Sequence, residues 1–395
     1  MRLLRRAVAG DFPRPVWMIA FVVVLSMSAN SMFWPFISLW VTRELAASPT
    51  QAGAILLAGA AVGIIGSVLG GWLADRVGRR PLVIVTSGLG AARMAGLAFA
   101  NSLPPAVVLL LVGDLVINAW EPGIGALIAD LMPPERLIEG YGLRRAAGSA
   151  GWMIGPALGG LAASRSWDFL FVCSAAGLGL ATVLAVLVLP HGQSVAARAS
   201  AHRPSPWTAI RDLKFLAFVG AITVIMTLLG WYESVVPLYL QDVRGIGPGT
   251  WGLILIVPST LIVLMQLRVS RYVQRISFTR AGLIGAAGFG VGVAGLGLPV
   301  PALALTIPAA LVAIGIMFVL PLGSSVAGRI APLALRGAYQ GAVGLTISIA
   351  FGIGPLAGLT LYQRLGHASP FVAAPFVALL GGLLLVVTMR PFSER

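Results

Sequence analysis

Long apolar runs alternate with short polar clusters along the whole chain, and the runs are repeatedly about 20 residues long or about twice that. A helix needs about 20 apolar residues to cross the hydrocarbon of a bilayer, so the runs read as membrane spans. The pattern predicts twelve helices, over 16–40, 51–74, 81–100, 106–131, 143–163, 168–189, 215–240, 250–270, 281–298, 302–327, 338–361 and 369–389. No charge interrupts Ala281 to Gly328, but Pro299 and Pro301 place a tight turn there and split the stretch into a hairpin. The first run follows Arg2, Arg5 and Arg6 as a signal sequence would. It is too long for one and lacks a small-residue cleavage site, so it reads as a retained first helix.

Composition agrees. Of 395 residues, 58% are hydrophobic and 10% charged, against about 25% charged in a soluble domain; a globular surface could not be solvated, and the class is all-α integral membrane. The formal net charge of +14 is scattered between the runs rather than gathered in a patch, which excludes nucleic acid as its partner and points to loops at one membrane face. With both termini cytoplasmic, 22 Lys and Arg residues fall on the inner side and four, Arg43, Arg165, Arg244 and Arg364, on the outer side. That imbalance sets the orientation. The remaining cation, Arg93, lies inside the third span. The one cysteine, Cys173, allows no disulfide framework.

Sliding the sequence over itself by 199 residues aligns Pro49 with Pro248, Gly53 with Gly252, Arg76 with Arg275, Pro122 with Pro321 and Pro133 with Pro332. The same offset aligns Gly142 with Gly341, Gly155 with Gly354, Pro156 with Pro355 and Gly159 with Gly358. The chain therefore reads as two parallel six-helix halves, 1–189 and 215–395, joined by a basic cytoplasmic linker over 190–214. The only lysine, Lys214, sits in no phosphate loop. The run Gly290, Gly292, Gly295 matches a dinucleotide pattern but lies within a span, where small residues serve helix packing.

Between the second and third spans stand Gly71, Trp72, Leu73, Ala74, Asp75, Arg76, Val77, Gly78, Arg79 and Arg80. This resembles the loop motif of the major facilitator superfamily, Gly-x-Leu-Ala-Asp-Arg-x-Gly-Arg-Arg. The resemblance implies a substrate site near the midplane between two halves and a cytoplasmic gate in which Asp75, Arg79 and Asp130 latch the halves in the outward-open state. The corresponding loop of the second half keeps Arg275 but has Gln274 in place of Asp75. In the fifth span, Gly151, Gly155, Pro156, Gly159 and Gly160 resemble the antiporter motif of drug/proton exporters, a kinked helix with a glycine face that admits a close neighbour. Those exporters usually carry an Arg in the outer half of the fourth span; near Leu110 and Leu111 this chain has none.

An ionisable side chain at bilayer depth costs at least about 2.5–3.5 kcal/mol on insertion scales, and so marks a functional position. Asp114, Asn118 and Glu121 share a face of the fourth span. Arg93 and Glu121 lie at similar depth on neighbouring spans and are expected to be able to pair. Trp231, Tyr232 and Glu233 set an acid beside aromatic rings, a combination suited to an organic cation. Asn30 adds a polar contact. Desolvation disfavours a carboxylate, so an acid in such a cavity can exchange a proton against a cationic substrate.

These features predict a proton-coupled secondary transporter that exports small, partly apolar molecules, drugs or metabolites, by alternating access. Import by proton symport is the alternative, and a non-transporting sensor on the same fold a lesser one. Neither nucleophile and base, metal cluster nor nucleotide loop is found, so no enzyme and no cofactor beyond the proton gradient is expected. The resemblance implies a monomer in the bacterial cytoplasmic membrane.

Overall fold

The computed structural model describes residues 12–133, 136–190, 212–273, 275–331 and 335–393. Gln274, Pro332 and most of the expected linker, including His191 and His202, lie outside them. Every regular element among the described residues is helical: α1 Arg14–Ser31, α2 Ile37–Arg43, α3 Pro49–Arg76, α4 Arg79–Leu97, α5 Leu103–Leu131, α6 Leu137–Ala163, α7 Trp167–Val188, α8 Leu213–Arg244, α9 Pro248–Ile254, α10 Ile256–Val273, α11 Phe278–Leu296, α12 Thr306–Ile330, α13 Arg336–Leu365 and α14 Ser369–Ser393.

Local sequence sets the boundaries. Ser48 caps α3 in a reciprocal box with Gln51, and Pro49 opens the helix where a missing N–H costs nothing. Ser166, Asp212 and Ser277 each accept the N–H three residues on, at the starts of α7, α8 and α11. Gly78 has φ +102°, a conformation open to glycine alone, and turns the chain sharply from α3 into α4. The predicted first span is broken: Pro35 sits in a single 3-10 turn, Trp34–Phe36, between α1 and α2.

Ten helical stretches among the described residues are long and apolar enough to cross a membrane. Helices also form where the third and fifth spans were expected, as α4 and α6. These two are not among the ten, and each carries three charged residues, Arg79, Arg80 and Arg93 in α4 and Glu139, Arg144 and Arg145 in α6. Side chains such as Phe99, Leu303, Phe376 and Val68 are largely exposed, a surface suited to lipid rather than water.

Residues 199 apart make matching contacts. A Cβ on Gly155 of α6 would strike the Ser28 carbonyl of α1, and one on Gly354 of α13 would lie 2.7 Å from the Thr227 carbonyl of α8. Gly159 abuts Met32, and Gly358 abuts Trp231. Gly290, Gly292 and Gly295 pack α11 against Ala378, Val312 and Pro308, so the dinucleotide-like run is a packing surface.

Candidate functional site

Gly59, Gly63, Gly66 and Gly70 fall on one face of α3, and α5 lies directly on that face. At Gly66 and Gly70 the backbone of α5 itself fills the space of the missing side chains, at Leu115 and Ala119. At Gly59 the space is taken by the Asp114 carboxyl, and at Gly63 by the Asn118 amide, whose Nδ2 would lie 2.7 Å from an added Cβ. Asn118 Nδ2 donates to the Asp114 carbonyl at 2.8 Å. Asp114 and Asn118 thus share a face that packs against α3, while Glu121, expected on that face with them, engages Arg144 of α6. Asp114 is partly buried and makes no ion pair among the described residues.

Arg93 does not pair with Glu121. Its guanidinium lies over Gly113, where a Cβ would collide with it, beside Asp114 but not in an ion pair with it. Glu121 is eight residues further along α5, about 12 Å at 1.5 Å per residue, and forms an ion pair with Arg144 of α6. Matching depths along two helices left out this third helix.

The rings expected to serve a cation beside Glu233 are buried. Trp231 is 2% exposed and packs on Gly358, while Tyr232 is 4% exposed and meets the Trp251 ring edge-on at 5.5 Å. Both rings are spent on helix packing. Glu233 is only partly buried, and Ser234 beside it accepts a 2.6 Å hydrogen bond from Ser38 Oγ of α2. The partly exposed rings are others: Trp34 stands edge-on to Trp152 of α6 at 6.3 Å and to Phe351 of α13 at 6.0 Å. Trp34 and Glu233 are equivalent under the 199-residue offset, the one signal that could have singled out Trp34. Asn30 Nδ2 donates to the Ser26 carbonyl at 2.9 Å.

At the loop motif, Arg79 forms an ion pair with Asp130 and its Nη1 donates to the Ala126 carbonyl at 3.0 Å. Arg80 ties α4 to the end of α7 through the carbonyls of Leu189 and Val186, at 3.0 and 2.6 Å. Arg76 lies 4.6 Å over the Trp72 ring. Asp75 is exposed and has no ion pair among the described residues, so two of the three expected latch residues meet and the third stands apart. The motif's glycines differ in kind. Nothing lies within 4 Å of a Cβ on Gly71, whereas Gly78 needs its positive φ. Thermal unfolding of the purified protein should show Gly78→Ala destabilised by about 1–3 kcal/mol and Gly71→Ala, inside α3 with open space around it, unchanged or stabilised by up to about 1 kcal/mol; equal destabilisation would remove the backbone reason for Gly78.

The antiporter-like motif is a packing device. Gly151 accommodates Met27 and Ser28, Gly155 accommodates Ser31, and Ser31 Oγ donates to the Gly151 carbonyl at 3.3 Å. Pro156 follows in the same helix, and Gly160 meets Gly252 of α9, an added Cβ lying 2.9 Å from its Cα.

Apolar packing between α1–α7 and α8–α14 runs along α3 and α13, where Gly352 meets Leu57 and Ala60, but the polar contacts described between the two sets gather at one end of the bundle. Arg43 forms an ion pair with Asp242, which also accepts from Tyr362 Oη at 2.9 Å. His367 stacks on Tyr362 at 4.6 Å, and the Thr50 N–H donates to Gln363 at 2.9 Å. At the opposite end, near Arg79, every ion pair and side-chain hydrogen bond described stays within one set: Arg79 with Asp130, Arg144 with Glu121, Tyr339 with Asp212, Gln340 with the Ser324 carbonyl. The polar ties described between the two sets lie at the Arg43 end. Arg43, Asp242, Tyr362 and Arg144 were all missed from sequence.

A helical bundle with ten candidate membrane spans among the described residues and ionisable groups within those spans defines a multi-pass membrane protein. The sequence profile of the Major Facilitator Superfamily matches residues 19–320, and the chain belongs to that superfamily of transporters. It is 25% identical over 385 residues to the uncharacterized MFS-type transporter YqjV of Bacillus subtilis (strain 168), covering 96% of this chain and 93% of that one. It is 23% identical over 234 residues to the quinolone resistance protein NorA of Staphylococcus aureus, 58% of this chain and 59% of that one. Solved structures of the nucleoside transporter NupG (TM-score 0.80, 13% identity, 97% of this chain and 100% of that one) and of a POT family transporter in complex with a thioalcohol-conjugated peptide (TM-score 0.80, 16% identity, 97% of each) share the fold.

Proposed function

We propose that the protein is a proton-coupled exporter of small, partly apolar organic molecules, with twelve spans in two six-helix halves that rock about a midplane site. The carrying observation is Asp114, an acid within a span that is held against Gly59 and has no ion-pair partner among the described residues. An acid so placed is free to take up a proton from one side and release it to the other. Glu233 is the second acid of this reading, and the Trp34, Trp152 and Phe351 rings supply an apolar platform. Similarity to NorA favours export of drug-like compounds.

With the Arg79 end cytoplasmic, the Arg43–Asp242 tie closes the outer side and the state is inward-open. Arg79 and Asp130 then wait, already joined, for Asp75 to complete the gate when the halves close on that side. Proton-coupled import of a metabolite is the second reading, favoured by the structural likeness to peptide and nucleoside transporters. The setting is the bacterial cytoplasmic membrane, with both termini inside, a monomer and no cofactor but the proton gradient.

Cells with and without the protein, exposed to a panel of quinolones and organic cations, test direction and substrate class. The expected result is at least a fourfold rise in tolerated concentration for several unrelated compounds, reversed by an uncoupler. Unchanged tolerance together with faster uptake of a single metabolite would overturn export.

A further inference from the structure

The interior of the first seven helices holds a small polar cavity between α1, α4, α5 and α7, bounded among others by Ser26, Asn30, Ser87, Arg93, Gly113 and Trp120. About 20 Å³ is open to the centre of a water-sized sphere, room for one or two waters. Asn30 and Thr86 have hydrogen-bond partners of their own. Four other polar atoms are buried without a partner: Ser26 Oγ, Ser87 Oγ, Arg93 Nε and Trp120 Nε1. Ser26, Ser87 and Trp120 are 2%, 4% and 3% exposed, so bulk water does not satisfy them.

The chemistry of these groups has one sign. Arg93 Nε and Trp120 Nε1 only donate, and each serine has a hydroxyl proton to give. No acid lines the cavity, and the Asp114 carboxyl is turned away onto Gly59. The other contacts of the guanidinium are Met94 Sδ at 3.4 Å and the face of Gly113. Waters could bridge the hydroxyls but would leave the guanidinium, which has Asp114 nearby yet in no ion pair with it, without a charged partner in direct contact. We infer that this cavity binds a small inorganic monoanion of chloride size, held by Arg93, Trp120, Ser26 and Ser87. The volume excludes an organic substrate, and the inference does not depend on the export reading.

Thermal unfolding of the purified protein, with chloride exchanged for gluconate at constant ionic strength, tests it. Chloride and bromide are expected to raise the melting temperature saturably by several degrees, and gluconate, too large to enter, is not. Ser87→Ala with Trp120→Phe removes two donors and keeps the charge; half-saturation is expected to need at least about tenfold more chloride. Equal melting temperatures in chloride and gluconate would show that the cavity holds water only and overturn the site, as would an unchanged half-saturation in the double variant. Broadening of the chloride-35 resonance by the wild-type protein gives a readout that does not depend on any variant folding, and no broadening would also overturn it.

Discussion

Asp114→Asn is expected to abolish substrate-driven proton movement in proteoliposomes, with turnover falling at least about a hundredfold, the scale for losing a positioned proton-transfer group. The amide matches the carboxyl in size, so it can rest against Gly59 as Asp114 does. It has no titrating proton. No ion pair is broken, because Asp114 is in none among the described residues, and the nearby Arg93 loses only a neighbouring charge that it does not contact directly. Glu121→Gln provides the contrast. Glu121 is 45% exposed and engaged with Arg144; a pair that open contributes about 0–1 kcal/mol, and its loss should slow transport only a few-fold. Proton flux in a monodisperse Asp114→Asn protein equal to wild type would remove Asp114 from the coupling role, and a larger loss in Glu121→Gln would transfer that role.

Glycine spacing carried more structural information than charge did. Gly151, Gly155, Gly159 and Gly160 predict close approach of a neighbouring helix, and α1 and α9 come to backbone distance there. Helical periodicity is local and survives without knowledge of the partner. Ion pairing is not local: Arg93 and Glu121 agree in depth, but which helix faces which is a property of the assembled bundle, and Arg144 from α6 takes the acid.

The internal offset held more than was drawn from it. Arg43 and Asp242 are 199 residues apart and meet, as two copies of one position do where copies face each other; opposite charge at equivalent positions is the signature of that contact. The same offset carries Arg79 to Phe278 and Asp130 to Arg329. The ion pair between α4 and α5 is thus replaced by Arg329 lying 4.7 Å over the Phe278 ring between α12 and α11. One helix-end junction is conserved in place while its chemistry changes from charge–charge to cation–π.

Gly160→Val is expected to open the Arg43 end and stall the cycle. That end is held by two kinds of contact of unequal strength. The Arg43 side chain is 50% exposed, so its pair with Asp242 contributes about 0–1 kcal/mol, and Arg43→Gln should shift the equilibrium little. The crossing of α6 with α9 is different. A Cβ on Gly160 would lie 2.5 Å from the Pro248 carbonyl and 2.9 Å from Gly252 Cα, both backbone atoms that no rotamer change can move. The helices must part, and overpacking of this kind costs about 1–3 kcal/mol. In the proposed cycle α6 and α9 separate when that end opens, so the cost is expected to appear as a shift of about 5–150-fold towards the open state. Ser38, 1% exposed beside Ser234, is the reporter: Ser38→Cys in a Cys173→Ser background should react with an impermeant maleimide faster by that factor when Gly160 is Val. Gly71→Ala, whose added methyl meets nothing, should leave labelling and transport unchanged. Equal labelling with Gly and Val at 160 would mean that the α6–α9 crossing does not close the path.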